Sequence, residues 1–286
     1  MIAVTGASGH FGQLAVEALL ARGVPAGEIA AVARTPEKIA GLAKRGVRVR
    51  KADYTDPGSL DAAFTGVDTL LFVSGSEVGQ RIGQHTNVVN AAARAGIRRI
   101  AYTSIVNGER NHSLLAREHL ATEAVIRESG IPYTFLRNGW YLENYTAQLP
   151  GYLERGVITG SADDGRISAA TRADYAEAAV AVVTGDGHDN PAYELGGDEA
   201  FTMTELAALI TEITGTHVEY HDLPVAEYTK VLVAAGLPEQ AAAVYADSDV
   251  AIARNELYTE SGDLARLLGR PPVTPAEALR EAAKEA

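Results

Sequence analysis

Met1-Ile2-Ala3-Val4-Thr5-Gly6-Ala7-Ser8-Gly9-His10-Phe11-Gly12 opens the chain, and the reading of this stretch decides the fold. The first five residues form a short apolar run that predicts a buried strand, and Gly6, Gly9 and Gly12 predict a tight turn after it. Phe11, Leu14, Ala15, Ala18 and Leu19 then recur at helical spacing, so a helix with one apolar face follows. Glycines let a backbone bend sharply and approach a pyrophosphate, and the unpaired N–H groups of a helix N-terminus attract the anion. Set between a strand and a helix, the glycine turn predicts a dinucleotide site centred on residues 6–12.

The end of the second strand selects the dinucleotide. Glu28-Ile29-Ala30-Ala31-Val32-Ala33 is apolar and ends at Arg34-Thr35-Pro36-Glu37-Lys38. An NAD site wants a carboxylate about 20 residues past the glycines for the ribose 2′-hydroxyl, whereas an NADP site wants a cation for the 2′-phosphate. Arg34 stands at that place, with a planar fork suited to phosphate, and Lys38 one turn on could add charge. NADP(H) is therefore the expected cofactor.

The whole-chain quantities exclude several classes. With 286 residues and 47% hydrophobic content, the chain can bury one large core or two unequal ones. A net charge of -12 and a pI near 5.1 set it against phosphate backbones, so nucleic acid is not an expected partner. The lack of cysteine removes thiolate metal sites and cysteine nucleophiles, and the seven histidines are scattered, so no metal is expected. No apolar run reaches membrane-span length and no signal-peptide pattern opens the chain, which makes a cytoplasmic protein without membrane insertion the expectation.

Strand and helix signals keep alternating after the second strand, the pattern of an α/β Rossmann-type doubly wound parallel sheet. Strands are predicted at Val47–Arg50, Thr69–Val73, Arg99–Thr103 and Tyr133–Arg137, with helices at about Gln80–Ala95 and Leu114–Glu128. Asp53, after the third strand, could accept from an adenine amino group or simply be solvated. Ser74, Gly75 and Ser76 leave room for a cofactor at the end of the fourth. Ile82, His85, Thr86 and Val89 share a helix face, so His85 is read as a packed histidine with satisfied nitrogens. Ser104 and the stretch Asn138-Gly139-Trp140-Tyr141 end strands on the side where ligands bind, although Trp140 could equally be core. Past Gly151 the alternation weakens. Thr202-x-x-Glu205 and Thr274-Pro275-x-Glu277 predict capping boxes, and the last third reads as a smaller, mostly helical lobe.

One expected pair is missing. Ordinary short-chain dehydrogenases protonate an alkoxide with a tyrosine assisted by a lysine one helical turn on, and none of the twelve tyrosines here has lysine at that offset. In the corresponding helix, His119 and Glu123 stand one turn apart at ion-pair spacing. No catalytic side chain is assigned; the hydride would come from the cofactor, and an acceptor needing little acid help, such as a quinone, fits best.

Gly6-x-x-Gly9-x-x-Gly12, Ser74-Gly-Ser-Glu-Val-Gly-Gln-Arg81, Ala101-Tyr-Thr-Ser104, Leu136-Arg-Asn-Gly-Trp-Tyr-Leu-Glu-Asn-Tyr145, Ala170-Thr-Arg-Ala-Asp174 and Leu268-Gly-x-Pro together resemble the NmrA-like atypical short-chain dehydrogenases, in the branch holding bacterial NADPH:quinone oxidoreductases. The resemblance covers essentially the whole chain. It implies an NADP-binding Rossmann domain (residues 1–138 and 172–198) and a smaller substrate-covering domain (139–171 and 199–286). It places cofactor contacts on Gly6, Ala7, Ser8, Gly9, His10, Phe11, Gly12, Arg34, Ser74, Gly75, Ser76, Asn138, Gly139, Trp140, Tyr141, Leu142 and Glu143, and substrate contacts on Tyr141, Asn144 and Tyr145. Gly75 departs from the hydroxyl residue expected there. A quinone-type small molecule is the implied acceptor and a homodimer stays open. Triphenylmethane-dye reduction and a non-catalytic, NADP(H)-sensing regulator are the alternatives.

Overall fold

The computed structural model describes residues 1–284. Contacts divide the chain into two compact units, the first made of Met1–Ser104, Glu118–Arg137 and Arg172–Tyr193, the second of Ile105–Arg117, Asn138–Thr171 and the described residues from Glu194 onward.

The central sheet has seven strands: β1 (Ile2–Val4), β2 (Ile29–Ala33), β3 (Arg48–Lys51), β4 (Thr69–Phe72), β5 (Arg99–Ile105), β6 (Tyr133–Asn138) and, after a later two-stranded excursion begins with β7 (Val157–Gly160), β8 (Ala192–Leu195). Their order is β3-β2-β1-β4-β5-β6-β8. β1 pairs in parallel with both β2 and β4, which puts the reversal of strand order, where doubly wound folds bind ligands, at the end of the opening strand. In register, Ala30, Ala3, Leu70 and Ile100 line up across four strands. They point to one face, where a core with Leu60, Phe64, Val88, Val89 and Ile126 forms beneath the helices Pro57–Ala63, Arg81–Arg94 and Leu114–Glu128. The other face carries the helix His10–Ala21 packed on Arg172–Thr184. In β2, β4 and β5 the apolar residues are buried on both faces, as the interior of a parallel sheet requires.

In the second unit, β7 pairs in parallel with β9 (Glu219–Asp222). The sequence reading has neither strand. Both are short, and β9, with Glu219, His221 and Asp222 exposed, lacks the apolar signature on which a strand is recognised. The unit's core gathers Tyr145, Tyr152, Ile158, Phe201, Leu206, Ile210 and Ile252. Both capping boxes form, at Thr202 with Glu205 and at Thr274 with Glu277. No helix among the described residues is long and apolar enough to cross a membrane.

Candidate functional site

The glycine turn is built by backbone hydrogen bonds. Thr5 N–H donates to Leu71 O and Ala7 N–H to Val32 O, stitching the turn into the sheet at 3.1 and 3.0 Å. Gly6 takes φ +60°, a left-handed conformation that glycine adopts without strain, and its carbonyl accepts from Gly9 N–H at 2.9 Å. Gly12 is dictated by packing: a Cβ there would stand 2.3 Å from Gly6 O. The helix starts at His10 with extended Gly9 as its N-cap, no side-chain cap and no acidic residue in its first turn. Its opening N–H groups and dipole thus remain available to an anion.

These residues form one wall of a cavity of about 350 Å³ that lies wholly within the first unit. Gly6, Ser8, Gly9, His10, Phe11, Gly12, Arg34, Ser74, Gly75 and Ser76 all line it. Ala7 does not: it is fully buried and holds the turn through its backbone. Asp53 also lines the cavity, but its Oδ1 accepts from Thr55 N–H and Oγ–H at 2.8 and 2.7 Å, bonds that hold its carboxyl below the usual range. Lys38 is exposed and lies outside the wall. Four polar wall residues escape the sequence reading: Tyr54, Glu77, Gln84 and Arg172. Glu77 and Arg172 stand inside motifs quoted above, which was the only available signal for them.

The Ser74–Arg81 segment is tied down from below. Ser74 N–H donates to Thr103 Oγ1 at 2.8 Å, and Gly75 N–H to His85 Nε2 at 3.0 Å. Gly75 O accepts from Arg81 Nε at 2.6 Å, and Gly79 N–H donates to Glu118 Oε1 at 2.7 Å. Since His85 Nε2 accepts, the proton sits on Nδ1 and is given to Thr122 Oγ1 at 2.8 Å. Burial pulls the imidazole down to about 3, so it is neutral, a packed histidine with both nitrogens satisfied. Ile82, expected on the same packed face, is half exposed instead. A Cβ at Gly75 would come no closer than 3.4 Å to Gln84 Oε1, so the glycine there is not demanded by space.

His119 and Glu123 do not pair. His119 Nδ1 hydrogen-bonds the Tyr102 hydroxyl at 2.8 Å, and burial drives its pKa well below the ordinary value. Glu123 is fully buried and accepts from Ser104 Oγ at 2.7 Å, from Arg137 Nε and NH2 at 2.9 and 2.8 Å, and from Arg127 NH2 at 3.1 Å. The helix face carrying this spacing turns inward, where each side chain meets a strand residue rather than its neighbour one turn on. Ser104 is thereby committed to Glu123 and is not part of the cavity wall.

Asn138 to Tyr145 lie in the second unit. Asn138 O accepts from Val106 N–H, Gly139 N–H donates to Leu195 O, and Trp140 and Leu142 exchange backbone bonds with Ala170. Trp140 is half-buried against that unit's core and Leu142 is buried. Tyr141 forms an isolated bridge with Ala170, while Glu143 and Asn144 begin a short helix. Two of these residues stand out: both amide atoms of Asn138 and the hydroxyl of Tyr145 are buried without a hydrogen-bond partner. Such orphaned groups cost about 1–3 kcal/mol each and mark places that a ligand can satisfy. Burial, then the nearby Asp249 carboxylate, holds the Tyr145 phenol well above its usual range, so it keeps its proton.

A model of the NmrA-like family matches residues 1–262. Quinone oxidoreductase 2 of Escherichia coli K12 is 48% identical over 98% of this chain and 97% of its own. The crystal structure of the E. coli NADPH-dependent quinone oxidoreductase QOR2 complexed with NADPH superposes with a TM-score of 0.96 at 47% identity, covering 98% of this chain and 99% of that one. The Citrobacter sp. triphenylmethane reductase complexed with NADP(H) gives 0.94 at 40% identity, covering 99% of this chain and 100% of that one.

Proposed function

The chain belongs to the NmrA-like family, and from that premise we propose that it is an NADPH-dependent oxidoreductase passing hydride to a quinone-type acceptor, with its nucleotide seated in the cavity of the first unit. One observation carries the placement: the Gly6–Gly12 cradle, an uncapped helix N-terminus free of acidic residues, and Arg34 line a single cavity. The residues fit the cofactor. The glycine backbone leaves room for a pyrophosphate against the helix N–H groups, and the Arg34 fork suits a 2′-phosphate. The assignments of Asn138, Gly139, Trp140, Tyr141, Leu142 and Glu143 to the cofactor, and of Tyr141, Asn144 and Tyr145 to the acceptor, rest on the family resemblance, supported at Asn138 and Tyr145 by their orphaned buried groups.

When bound, NADPH supplies the hydride. The chain's own part is to bind, orient and exclude water, since no Tyr–Lys pair is present and the buried His119 is neutral. A quinone suits such a site: accepting hydride leaves a hydroquinone anion whose charge is spread over an aromatic ring, and water can deliver the proton. The likeness to triphenylmethane reductase keeps dye reduction as a second reading. A homodimer and a cytoplasmic location belong to the same proposal; light scattering of the pure protein tests the first. The deciding experiment follows loss of NADPH absorbance with a panel of quinones and triphenylmethane dyes. Enzyme-dependent oxidation with quinones is expected. Tight dinucleotide binding without turnover of any acceptor would turn the reading to a sensor.

A further inference from the structure

The cavity rim around Arg34 carries an unusual charge arrangement for a site meant to receive a phosphate. Arg34 NH1 donates to Glu77 Oε1 at 2.7 Å, and the other oxygen of Glu77 accepts from Gln84 Nε2 at 2.8 Å. Asp53 lines the same cavity, so the Arg34 guanidinium stands beside Glu77 with a second carboxylate in the same wall, which Arg172 also lines. Gln84 is buried, whereas Arg34 is 61% exposed and Glu77 42%. The carboxylate is therefore the anchored partner and the guanidinium the movable one. The loop that carries Glu77 is itself held from below, through Gly75 and Gly79, by buried His85, Arg81 and Glu118.

We propose that Glu77 is a positioning residue that lowers this enzyme's discrimination between NADPH and NADH by occupying the Arg34 guanidinium. The inference rests on the reading of Arg34 as the 2′-phosphate receptor. A nucleotide with a free 2′-hydroxyl enters with the Arg34–Glu77 pair intact. One with a 2′-phosphate must share the guanidinium with Glu77 or draw it away. Because both partners are substantially exposed, the effect is modest: an ion pair of this kind is worth a factor of about two to five in affinity.

The test is calorimetric titration of the wild type, E77Q, R34A and R34A/E77Q with NADPH and NADH. Glutamine keeps the shape and an acceptor for Gln84, so E77Q isolates the charge. NADPH affinity is expected to rise about threefold in E77Q with NADH little changed, and the NADPH KM should fall without a matching change in kcat. A purely structural role would move both nucleotides together. In the R34A background the E77Q effect on the ratio should vanish, and in wild type it should shrink at about 0.5 M salt as screening weakens the pair. An unchanged ratio in E77Q overturns the proposal. So does a lower ratio, which would make Glu77 a tether that presents Arg34, and so does an effect that survives removal of Arg34. Failure of the wild type to bind either nucleotide would instead sink the functional reading beneath it.

Discussion

Arg34, proposed as the 2′-phosphate receptor, was legible because the spacing from the glycines fixes its place at the end of β2. Its partner was not. Glu77 lies on another loop, and no rule of local spacing pairs a strand-end arginine with a carboxylate brought alongside by the fold. R34E should weaken NADPH by at least about tenfold, the order of one lost charge-assisted contact, and leave NADH within about threefold. The variant places a carboxylate beside Glu77, which adds repulsion to the loss of the fork. Calorimetry with both nucleotides checks this, and an equal loss for the two would discard the 2′-phosphate role.

At the scale of elements, the helix Leu114–Glu128 shows both the reach of sequence reading and its limit. Its span follows from apolar periodicity, but the face on which His119 and Glu123 lie is turned into the protein, and partners there are chosen by the neighbouring strands. Glu123 offers its charge to both Arg137 and Arg127 in a buried position. E123Q keeps the shape and removes the carboxylate that those guanidiniums share. It should lower unfolding stability by roughly 3 kcal/mol, as breaking a buried ion pair does, discounted slightly because Arg127 is partly exposed. Urea unfolding measures it; a change below about 0.5 kcal/mol would mean the arginines find other anions. His119, by contrast, is neutral, bonded to Tyr102 and outside the cavity wall. Quinone turnover in H119Q should stay within about threefold, whereas loss of a true general acid costs about a hundredfold or more in kcat. β7 and β9 were illegible for the opposite reason: their pairing rests on backbone bonds, with few buried side chains to announce it.

Across the whole molecule, the alternation of strands and helices was enough to foresee the doubly wound parallel sheet, because burial on both faces writes apolar runs into most of its strands. Of the buried titratable groups, His85 was legible from the apolar face of its helix, whereas His119 and Asp249 were not, since their burial depends on which polar residues the fold encloses. The first unit buries His85 and His119, the second half-buries Asp249, and their linkages to folding have opposite signs. Burial lowers His85 from 6.5 to about 3, so in that window the unfolded chain binds the proton and the folded one does not. The stability it contributes is complete above 6.5 and is lost as pH falls; His119 acts in the same direction. Asp249, raised from 3.8 to about 6 by burial, is protonated in the folded chain first, so its contribution is complete below 3.8 and is lost as pH rises through 6. Going from pH 7 to pH 5 should therefore weaken the first unit by about 2 kcal/mol through His85, with His119 acting in the same direction, and strengthen the second by about 1 kcal/mol. Hydrogen exchange at the two pH values, corrected for intrinsic rates, should show protection falling in Arg81–Arg94 and rising in Glu239–Ala253. H85Q, which can still accept from Gly75 N–H, should flatten the loss in the first unit. Equal losses in both units, or an undiminished loss in H85Q, would take the acid sensitivity away from the buried imidazoles.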